Sequence, residues 1–195
     1  SIQFAQLLTS QGVPVLISDK QWPRLKKARQ AGVDVFYGEI LSEEAEVDVA
    51  MNRFGMVLAA TEDHAYNAMV CNHFATAYGR EMVFQVASLS MQAAERKKLP
   101  ISLRGRIFID TVFDASLLAR RFADGWRFVL LSAEQAKQLT QDTQAYEDGV
   151  LYPEKEHAVV ATINKNKVLT IASHEEDELP VSEGTHLVYL TREVP

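Results

Sequence analysis

Three short polar segments carry residues whose types and positions could bind a ligand, and each follows an apolar run. They are Asp19-Lys20, Gly38-Glu39-Ile40 and Ala60-Thr61-Glu62-Asp63. In an open parallel sheet, ligands bind beyond the carboxyl ends of the strands, where such segments meet. An acidic residue there can accept hydrogen bonds from both hydroxyls of an adenosine ribose, and Asp19 is placed to do so. Asp19 could instead serve only to hold the start of a helix near Trp22.

Strands and helices that would position these segments alternate up to about residue 87. Short apolar runs predict strands at Val13–Ser18, Val33–Tyr37, Met56–Ala60 and Met82–Ala87. Helical spacing predicts a first helix that begins near Ser1 and is closed by Gly12, and further helices at Trp22–Ala31, Ser42–Met51, Asp63–Tyr78 and Leu89–Lys98. Strands that are apolar throughout are typical of burial on both faces, so we expect an α/β fold with a Rossmann-like parallel sheet.

The pattern changes beyond residue 100, where β-rich segments dominate. Strands are predicted at Ile107–Ile109, Trp126–Ser132, His157–Ile163, Val168–Ser173 and Thr185–Thr191, with one helix at Asp114–Ala123. The polar stretch Asn164–Lys167 predicts a hairpin loop between two of these strands. Residues 134–148 are predicted as either helix or loop. We place a domain boundary near residues 99–104, giving a Rossmann-type domain at 1–99 and a small α+β domain at 100–195.

One part of a dinucleotide-binding fold is not found in the sequence. The glycine-rich turn that holds a pyrophosphate should lie roughly 20 residues before the acidic residue, at or before Ser1. We therefore expect the chain to be a fragment of a longer protein in which the first strand of the sheet precedes Ser1. In the usual strand order, that strand separates the strand ending at Ser18 from the one ending at Ala60, so these two should not pair.

Composition excludes several classes of function. The 195 residues carry 20 Lys and Arg against 26 Asp and Glu, a formal charge of −6, which disfavours nucleic acid as a partner. The single cysteine, Cys71, excludes an internal disulfide or a multi-cysteine metal site and fits a reducing, cytosolic setting. No run of 18 apolar residues predicts a membrane-spanning helix.

Other residues with chemical potential give weaker signals, and no catalytic or metal-binding residue is predicted. His64 and His73 lie nine positions apart, so on one helix they face different directions and are expected to be surface or packing residues. Cys71 is predicted to be a core thiol. The acidic stretch 174–178 predicts either a solvated loop or a cation site. The basic residues Lys20, Arg24, Lys26 and Lys27 predict either a solvated face or contact with anionic lipid.

Residues 1–87 resemble the nucleotide-binding half of RCK-type domains, also called TrkA-N domains, of bacterial potassium uptake proteins, potassium channels and cation:proton antiporters. The matching stretches are VPVLISDK, AGVDVFYGEILSEE and MVLAATEDHAYNAMVCNHFATAYG followed by MVFQV. The later stretches RGRIFIDTVFDASLLARRFADGWRF and GTHLVYL resemble the segment that follows this domain in bacterial sodium(potassium):proton antiporters. Gly38-Glu39 departs from the family, which more often has Gly-Asp at that place.

The resemblance implies a nucleotide site without catalysis, in which NAD(H), AMP or ATP acts as an effector. Asp19 would hold the ribose, Gly38, Glu39 and Ile40 would border the adenine, and Ala60, Thr61 and Glu62 would line the phosphate side. Lys20, Asp63 and Asn67 complete the predicted set. Gly38 could instead be needed only for a tight turn, and Thr61 to Asp63 only to cap the long helix.

The resemblance also implies an assembly. The chain would be the cytoplasmic domain of an inner-membrane cation:proton antiporter, with an attached or associated membrane transport domain as its partner. It would form a homodimer through its Rossmann half, where Phe74, Tyr78 and Met82 offer apolar surface. Two alternatives stay open: a fragment of an NAD-dependent oxidoreductase whose substrate domain begins near residue 100, and a soluble nucleotide-binding subunit of a potassium uptake system.

Overall fold

The computed structural model describes residues 2–87, 100–110, 113–136, 157–175 and 179–192. The predicted helix Leu89–Lys98 lies outside the described residues, as do residues 137–148 of the stretch predicted as helix or loop. None of the helices in the described ranges is both long and apolar enough to span a membrane.

Four helices of the first half lie where the apolar spacing predicts them. They are α1 Ile2–Ser10, α2 Trp22–Gln30, α3 Glu43–Asp48 and α4 His64–Tyr78. Glycines with positive φ follow α1, α2 and α4 at positions 12, 32 and 79, which confirms the predicted helix ends. Helix α3 is shorter than predicted, because Val49 adopts an extended conformation and Met51–Arg53 forms a separate 3-10 helix.

Five short strands of the first half form two separate parallel sheets. Strands β1 Leu16–Asp19 and β2 Asp34–Tyr37 form one sheet, and β3 Val57–Ala59, β4 Val83–Gln85 and β5 Arg106–Ile107 form the other in the order β3-β4-β5. Among the described residues, β1 and β3 do not pair with each other. This separation confirms that the strands ending near Ser18 and Ala60 are not neighbours in the sheet.

The sheet of the first half continues beyond the predicted domain boundary. Strand β5 belongs by sequence position to the predicted second domain, yet it pairs in parallel with β4, with Phe84 opposite Arg106 and Gln85 opposite Ile107. The sequence predicted a strand at Ile107–Ile109, and the observed strand ends earlier. Ile109 has a positive φ of 64°, a conformation that a β-strand does not adopt.

The second half is built on an antiparallel sheet. Helix α5 Ala115–Ala123 precedes strands β6 Arg127–Ser132, β7 His157–Ile163, β8 Leu169–Ile171 and β9 His186–Thr191, which lie in the order β6-β9-β7-β8. The predicted hairpin between β7 and β8 is confirmed: the Asn164 amide donates to the Val168 carbonyl over 3.1 Å, and Lys167 occupies the left-handed turn position.

The largest apolar core joins the two halves. Phe4 of α1 packs its ring against Phe108 and Phe128, with centroid distances of 5.9 and 4.9 Å. The same cluster includes Val86 after β4 and Leu190 of β9. Backbone hydrogen bonds add a direct connection, because the segment after β5 bonds to the segment after β8. The division into domains 1–99 and 100–195 stays a prediction, and the core runs across it.

Candidate functional site

The carboxyl ends of β1 and β2 lie side by side. Asp19 is opposite Tyr37 in the parallel register, and the Gly38 amide donates to the Asp19 carbonyl over 3.2 Å. The Ser18 hydroxyl donates to the Gly38 carbonyl over 3.3 Å. A side chain at position 38 would come within 3.0 Å of the Phe36 ring, so the turn there requires glycine. Gly38 therefore forms the tight turn that was predicted for it.

Asp19 holds the segment that leads into α2. One carboxylate oxygen accepts a hydrogen bond from the Gln21 amide over 2.8 Å, and the other lies 3.7 Å from the Arg24 guanidinium. The side chain is 26% exposed, so its second oxygen is still open to a ligand. The helix-start role expected for Asp19 and a ribose-binding role are compatible in this geometry.

Glu39 forms a cluster with Lys20 and Tyr66, which we call the Glu39 cluster. Lys20 forms an ion pair with Glu39, the Tyr66 hydroxyl donates to the other Glu39 oxygen, and the Lys20 ammonium lies 5.7 Å from the centre of the Tyr66 ring. Burial acts to raise the pKa of Glu39, but the bonds from Lys20 and Tyr66 outweigh it and lower that pKa. Burial and the Glu39 carboxylate raise the pKa of Tyr66. Glu39 is therefore ionised and Tyr66 neutral at pH 7.

A second network shapes the loop between β3 and α4. The Asn67 side-chain oxygen accepts from the Thr61 amide over 3.1 Å and from the Thr61 hydroxyl over 2.7 Å, and its amide donates back to the Thr61 carbonyl over 2.9 Å. Asn67 is fully buried. Its position in the first turns of α4 therefore serves to fix the backbone of Thr61 at the strand end.

The start of α4 is capped by Asp63, as predicted. Its carboxylate accepts from the Tyr66 amide over 2.9 Å, and its own amide donates to the Thr61 hydroxyl over 3.2 Å. Ala60, Thr61, Glu62 and Asp63 are all exposed at this edge. A helix start favours negative charge, and the Asp63 carboxylate supplies it here.

The structure brings together part of the predicted set directly. Asp19, Lys20, Gly38 and Glu39 lie at the ends of β1 and β2, whereas Thr61, Asp63 and Asn67 form their own network at the end of β3. Ile40 packs against the core between α4 and β3 and contributes to packing. Ala60 and Glu62 lie exposed in the loop. All ten predicted residues lie at the carboxyl ends of β1, β2 and β3 or on the segments that follow them.

Tyr66 is the site residue that sequence reasoning missed, and it connects the two groups. It lies in the first turn of α4, three residues after the capping Asp63, and its hydroxyl reaches Glu39 beyond β2. The signal was present, because the first turn of a helix that follows a strand lies at the carboxyl edge of the sheet. A tyrosine there can bridge to the neighbouring strand end.

The other chemically notable residues have structural roles. Cys71 is fully buried and free, as predicted, and burial raises the pKa of its thiol to about 12, which makes it inert at neutral pH. Within the described ranges, no group of three or more His, Cys, Asp or Glu side chains is arranged to hold a metal ion. Phe74, predicted at a dimer surface, is only 5% exposed and packs in the core beside Tyr78, so that part of the prediction is wrong.

Glu175, in the acidic stretch 174–178, connects the halves of the chain. It accepts from Arg104 over 2.7 Å, from the Ile107 amide over 2.9 Å and from the Ser173 hydroxyl over 2.7 Å. Burial acts to raise the pKa of Glu175, but these bonds outweigh it and lower the pKa below its usual range. For Glu175 the expectation of a solvated loop or a cation site is therefore wrong. Residues 176–178 lie outside the described part of the chain.

Comparison with known proteins supports the fold of the first half of the chain. The family model of the TrkA-N domain matches residues 1–102, just over half of the chain. The chain belongs to the TrkA-N domain family. The match spans every residue of the predicted site, from Asp19 to Asn67, and confirms the resemblance and the Rossmann-like α/β class. TrkA-N domains bind nucleotides such as NAD(H) and occur in regulatory, non-catalytic parts of potassium transport systems.

A solved structure gives a more distant comparison. The crystal structure of the GsuK RCK domain is 11% identical, with a TM-score of 0.30, and the alignment covers 89% of this chain and 42% of that one. This TrkA-N chain thus spans less than half of the RCK chain. The structural similarity is too low to support an argument about the function of this chain. No curated protein is similar enough to this chain to count as a relative.

Proposed function

We propose that this TrkA-N chain is the nucleotide-sensing regulatory domain of a cation:proton antiporter. An adenine nucleotide or dinucleotide, NAD(H), AMP or ATP, would bind at the carboxyl edge of the parallel strands as an effector. The chain would then lie in the cytoplasm as part of an inner-membrane protein whose transport domain is its partner.

One observation carries the proposal: in a member of a nucleotide-binding family, Tyr66 at the start of α4 bonds to Glu39 beyond β2 and so links two of the predicted ligand segments. Asp19 presents a carboxylate beyond β1 with one oxygen available. Beyond β3, the hydrogen bonds between Thr61 and Asn67 fix the exposed loop that leads into α4. A ribose at Asp19 and a phosphate at the helix start use the hydrogen-bonding capacity of each segment.

Regulation would work by a shift between conformations. A nucleotide can bias an attached transport domain only if it binds one arrangement of the protein better than another. The first half of the chain shares its core with the antiparallel sheet, and Glu175 joins β5 to the segment after β8. A change at the nucleotide edge therefore has a packed route to the second half.

Titration calorimetry with NADH, AMP and ATP, on the longer protein that contains this chain, tests the proposal. We expect Asp19→Ala to weaken binding about five- to 150-fold, the equivalent of about 1 to 3 kcal/mol for one lost acceptor in a site. Asp34→Ala is the matched control, because Asp34 lies at the opposite end of β2 and pairs with Arg53. No binding of any of the three nucleotides, or equal loss in both variants, would refute the proposed site.

The proposed transport role needs a separate experiment. Cation:proton exchange would be measured in inverted membrane vesicles from cells that express the complete protein containing this chain. Adding the bound nucleotide should change the exchange rate, and Asp19→Ala should remove that response while Asp34→Ala keeps it. Exchange that is indifferent to nucleotide in the unmodified protein would exclude this form of regulation.

A further inference from the structure

The exposed side of α2 combines basic and aromatic residues. Trp22, Lys26 and Arg29 follow one another at intervals of four and three positions, so they form one stripe along the helix. All three side chains are exposed, whereas Leu25 and Ala28 on the adjoining side of the helix are completely buried, so the stripe faces solvent.

Tyr37, the last residue of β2, extends this stripe with a second aromatic ring. Its ring lies 5.9 Å from that of Trp22 in an edge-to-face arrangement. Trp22 is 46% exposed and Tyr37 is 60% exposed. We call Trp22, Lys26, Arg29 and Tyr37 together the α2 face. Two neighbouring rings with this exposure expose more apolar surface than a solvated charged face requires.

The α2 face also carries charge that the chain does not neutralise. No acidic residue occurs between positions 20 and 33, although the whole chain has a formal charge of −6. The two neighbouring cations, Lys20 and Arg24, lie against Glu39 and Asp19. Within the described residues, Lys26, Lys27 and Arg29 form no salt bridge.

We propose that the α2 face docks onto the surface of an anionic phospholipid membrane. Trp and Tyr prefer the zone between headgroups and acyl chains, where the ring is in an apolar region and its polar atom stays hydrated. Lys and Arg beside them attract anionic headgroups. The acidic remainder of the chain is repelled from the same surface, so the orientation is specific. This inference does not depend on nucleotide binding.

A second copy of the chain is the competing occupant, since its α3 carries the acidic residues Glu43, Glu44, Glu46 and Asp48. Exposed apolar surface on α3 is limited to Val47, which is 83% exposed. That single side chain offers little cover for two aromatic rings. The lipid interface provides both the charge and the apolar environment that the α2 face requires.

Vesicle sedimentation tests the charge component. The full chain should sediment with vesicles that contain phosphatidylglycerol and stay in solution with pure phosphatidylcholine. The double variant Lys26→Glu/Arg29→Glu should bind at least about tenfold more weakly, since each surface cation contributes roughly a fivefold factor. The matched control is Lys165→Glu/Lys167→Glu, which changes the net charge equally on the exposed β7–β8 loop and should keep binding. Circular dichroism of each variant checks that it folds.

Tryptophan fluorescence tests the aromatic component. Brominated lipid in the anionic vesicles should quench Trp22, so quenching should disappear in Trp22→Phe and persist in Trp126→Phe. Trp126 lies against the buried Arg121 guanidinium, 4.0 Å from its ring centre, and is the matched control. Quenching that persists in Trp22→Phe would overturn the proposal.

Three further outcomes would also overturn it. One is the absence of binding to phosphatidylglycerol vesicles. Another is an equal loss of binding in both double variants, which would reflect net charge alone. The third is self-association by light scattering that only Lys26→Glu/Arg29→Glu abolishes, without vesicle binding, which would assign the α2 face to a second copy of the chain.

Discussion

Asp19 holds the start of α2 and is also the proposed ribose ligand. The Gln21 amide occupies one of its oxygens and orients the side chain, while the other is near Arg24 but partly exposed. Holding a carboxylate in place before the ligand arrives reduces the entropy that binding must overcome. Its role before α2 therefore supports a binding role.

The Glu39 cluster also bears on the proposed choice between NADH and NADPH, because Glu39 occupies Lys20. Lys20 follows Asp19 directly, so it would be the natural partner for the 2′-phosphate of NADPH. In this structure Lys20 is bound to Glu39. We therefore expect NADH to bind at least about tenfold more tightly than NADPH, because a carboxylate that faces the ribose repels a dianionic phosphate. Calorimetry with both dinucleotides measures the ratio.

The variant Glu39→Gln tests whether the ion pair with Lys20 contributes to the preference for NADH over NADPH. It removes the charge that holds Lys20 and leaves Asp19 unchanged, so the ratio of NADH to NADPH affinity should narrow. Tighter binding of NADPH than of NADH by the unmodified chain would contradict the role assigned to Asp19.

Gly105, the residue before β5, lies against Cys71 of α4 and the backbone of β4. A methyl group at this position would lie 2.5 Å from the Cys71 sulfur and 3.1 Å from the backbone of β4. The Gly105 amide also donates to the Gln85 side chain over 3.0 Å. Strand β5 can pair with β4 only because residue 105 has no side chain.

Replacing this glycine should destabilise the fold. We expect Gly105→Ala to lower the free energy of unfolding by about 1 to 3 kcal/mol, the usual cost of overpacking a filled core. Gly55→Ala is the control, because a methyl group there meets nothing within 4 Å. Urea denaturation measures both variants. Equal stability of Gly105→Ala and the unmodified chain would mean that β5 does not lie against α4 as described.

For the whole molecule, Glu175 should make stability depend on pH. Its pKa is lowered in the folded state, so its ionised form stabilises the fold above the unfolded value of about 4.3. That contribution is lost as the pH falls through the folded pKa. We expect Glu175→Gln to cost about 1 to 3 kcal/mol at pH 7, since the charge-assisted hydrogen bond from Arg104 is lost, and the difference from the unmodified chain to shrink toward pH 3.

The exposed Glu183 supplies the comparison for this measurement. Glu183→Gln should unfold like the unmodified chain at every pH, measured by urea denaturation from pH 7 to pH 3. A difference between Glu175→Gln and the unmodified chain that stays constant with pH would show that the carboxylate charge is not what joins the two halves.

The proposed homodimer is also a property of the whole molecule. Since Phe74 is buried, the exposed apolar residues Met69 and Met82, at 54% and 41% exposure, take its place in the proposed surface. Light scattering should give about twice the chain mass of 21.8 kDa, and Met69→Glu/Met82→Glu should halve it. Val181→Glu, at a similarly exposed position elsewhere, should leave the dimer intact. A mass of one chain at high protein concentration would contradict the dimer.

Several features that the structure shows were visible in the sequence because they depend on near neighbours. Glycines end the helices at positions 12, 32 and 79, Asp63 caps α4, and Asn164 starts the hairpin. The burial of Phe74 was predictable in the same way, because it shares the helical stripe of Asn67 and Cys71. The sequence alone also placed the predicted ligand segments at strand ends and related them to the TrkA-N family.

Only the tertiary structure decided which distant residues meet. It paired β5 with β4 across the predicted boundary, brought Tyr66 to Glu39, and removed Glu175 from solvent to bind Arg104 and Ile107. These contacts join residues between 22 and 71 positions apart. Periodicity and turn chemistry report conformation over a few residues, whereas such pairings follow from how complete elements pack, and no local pattern encodes them.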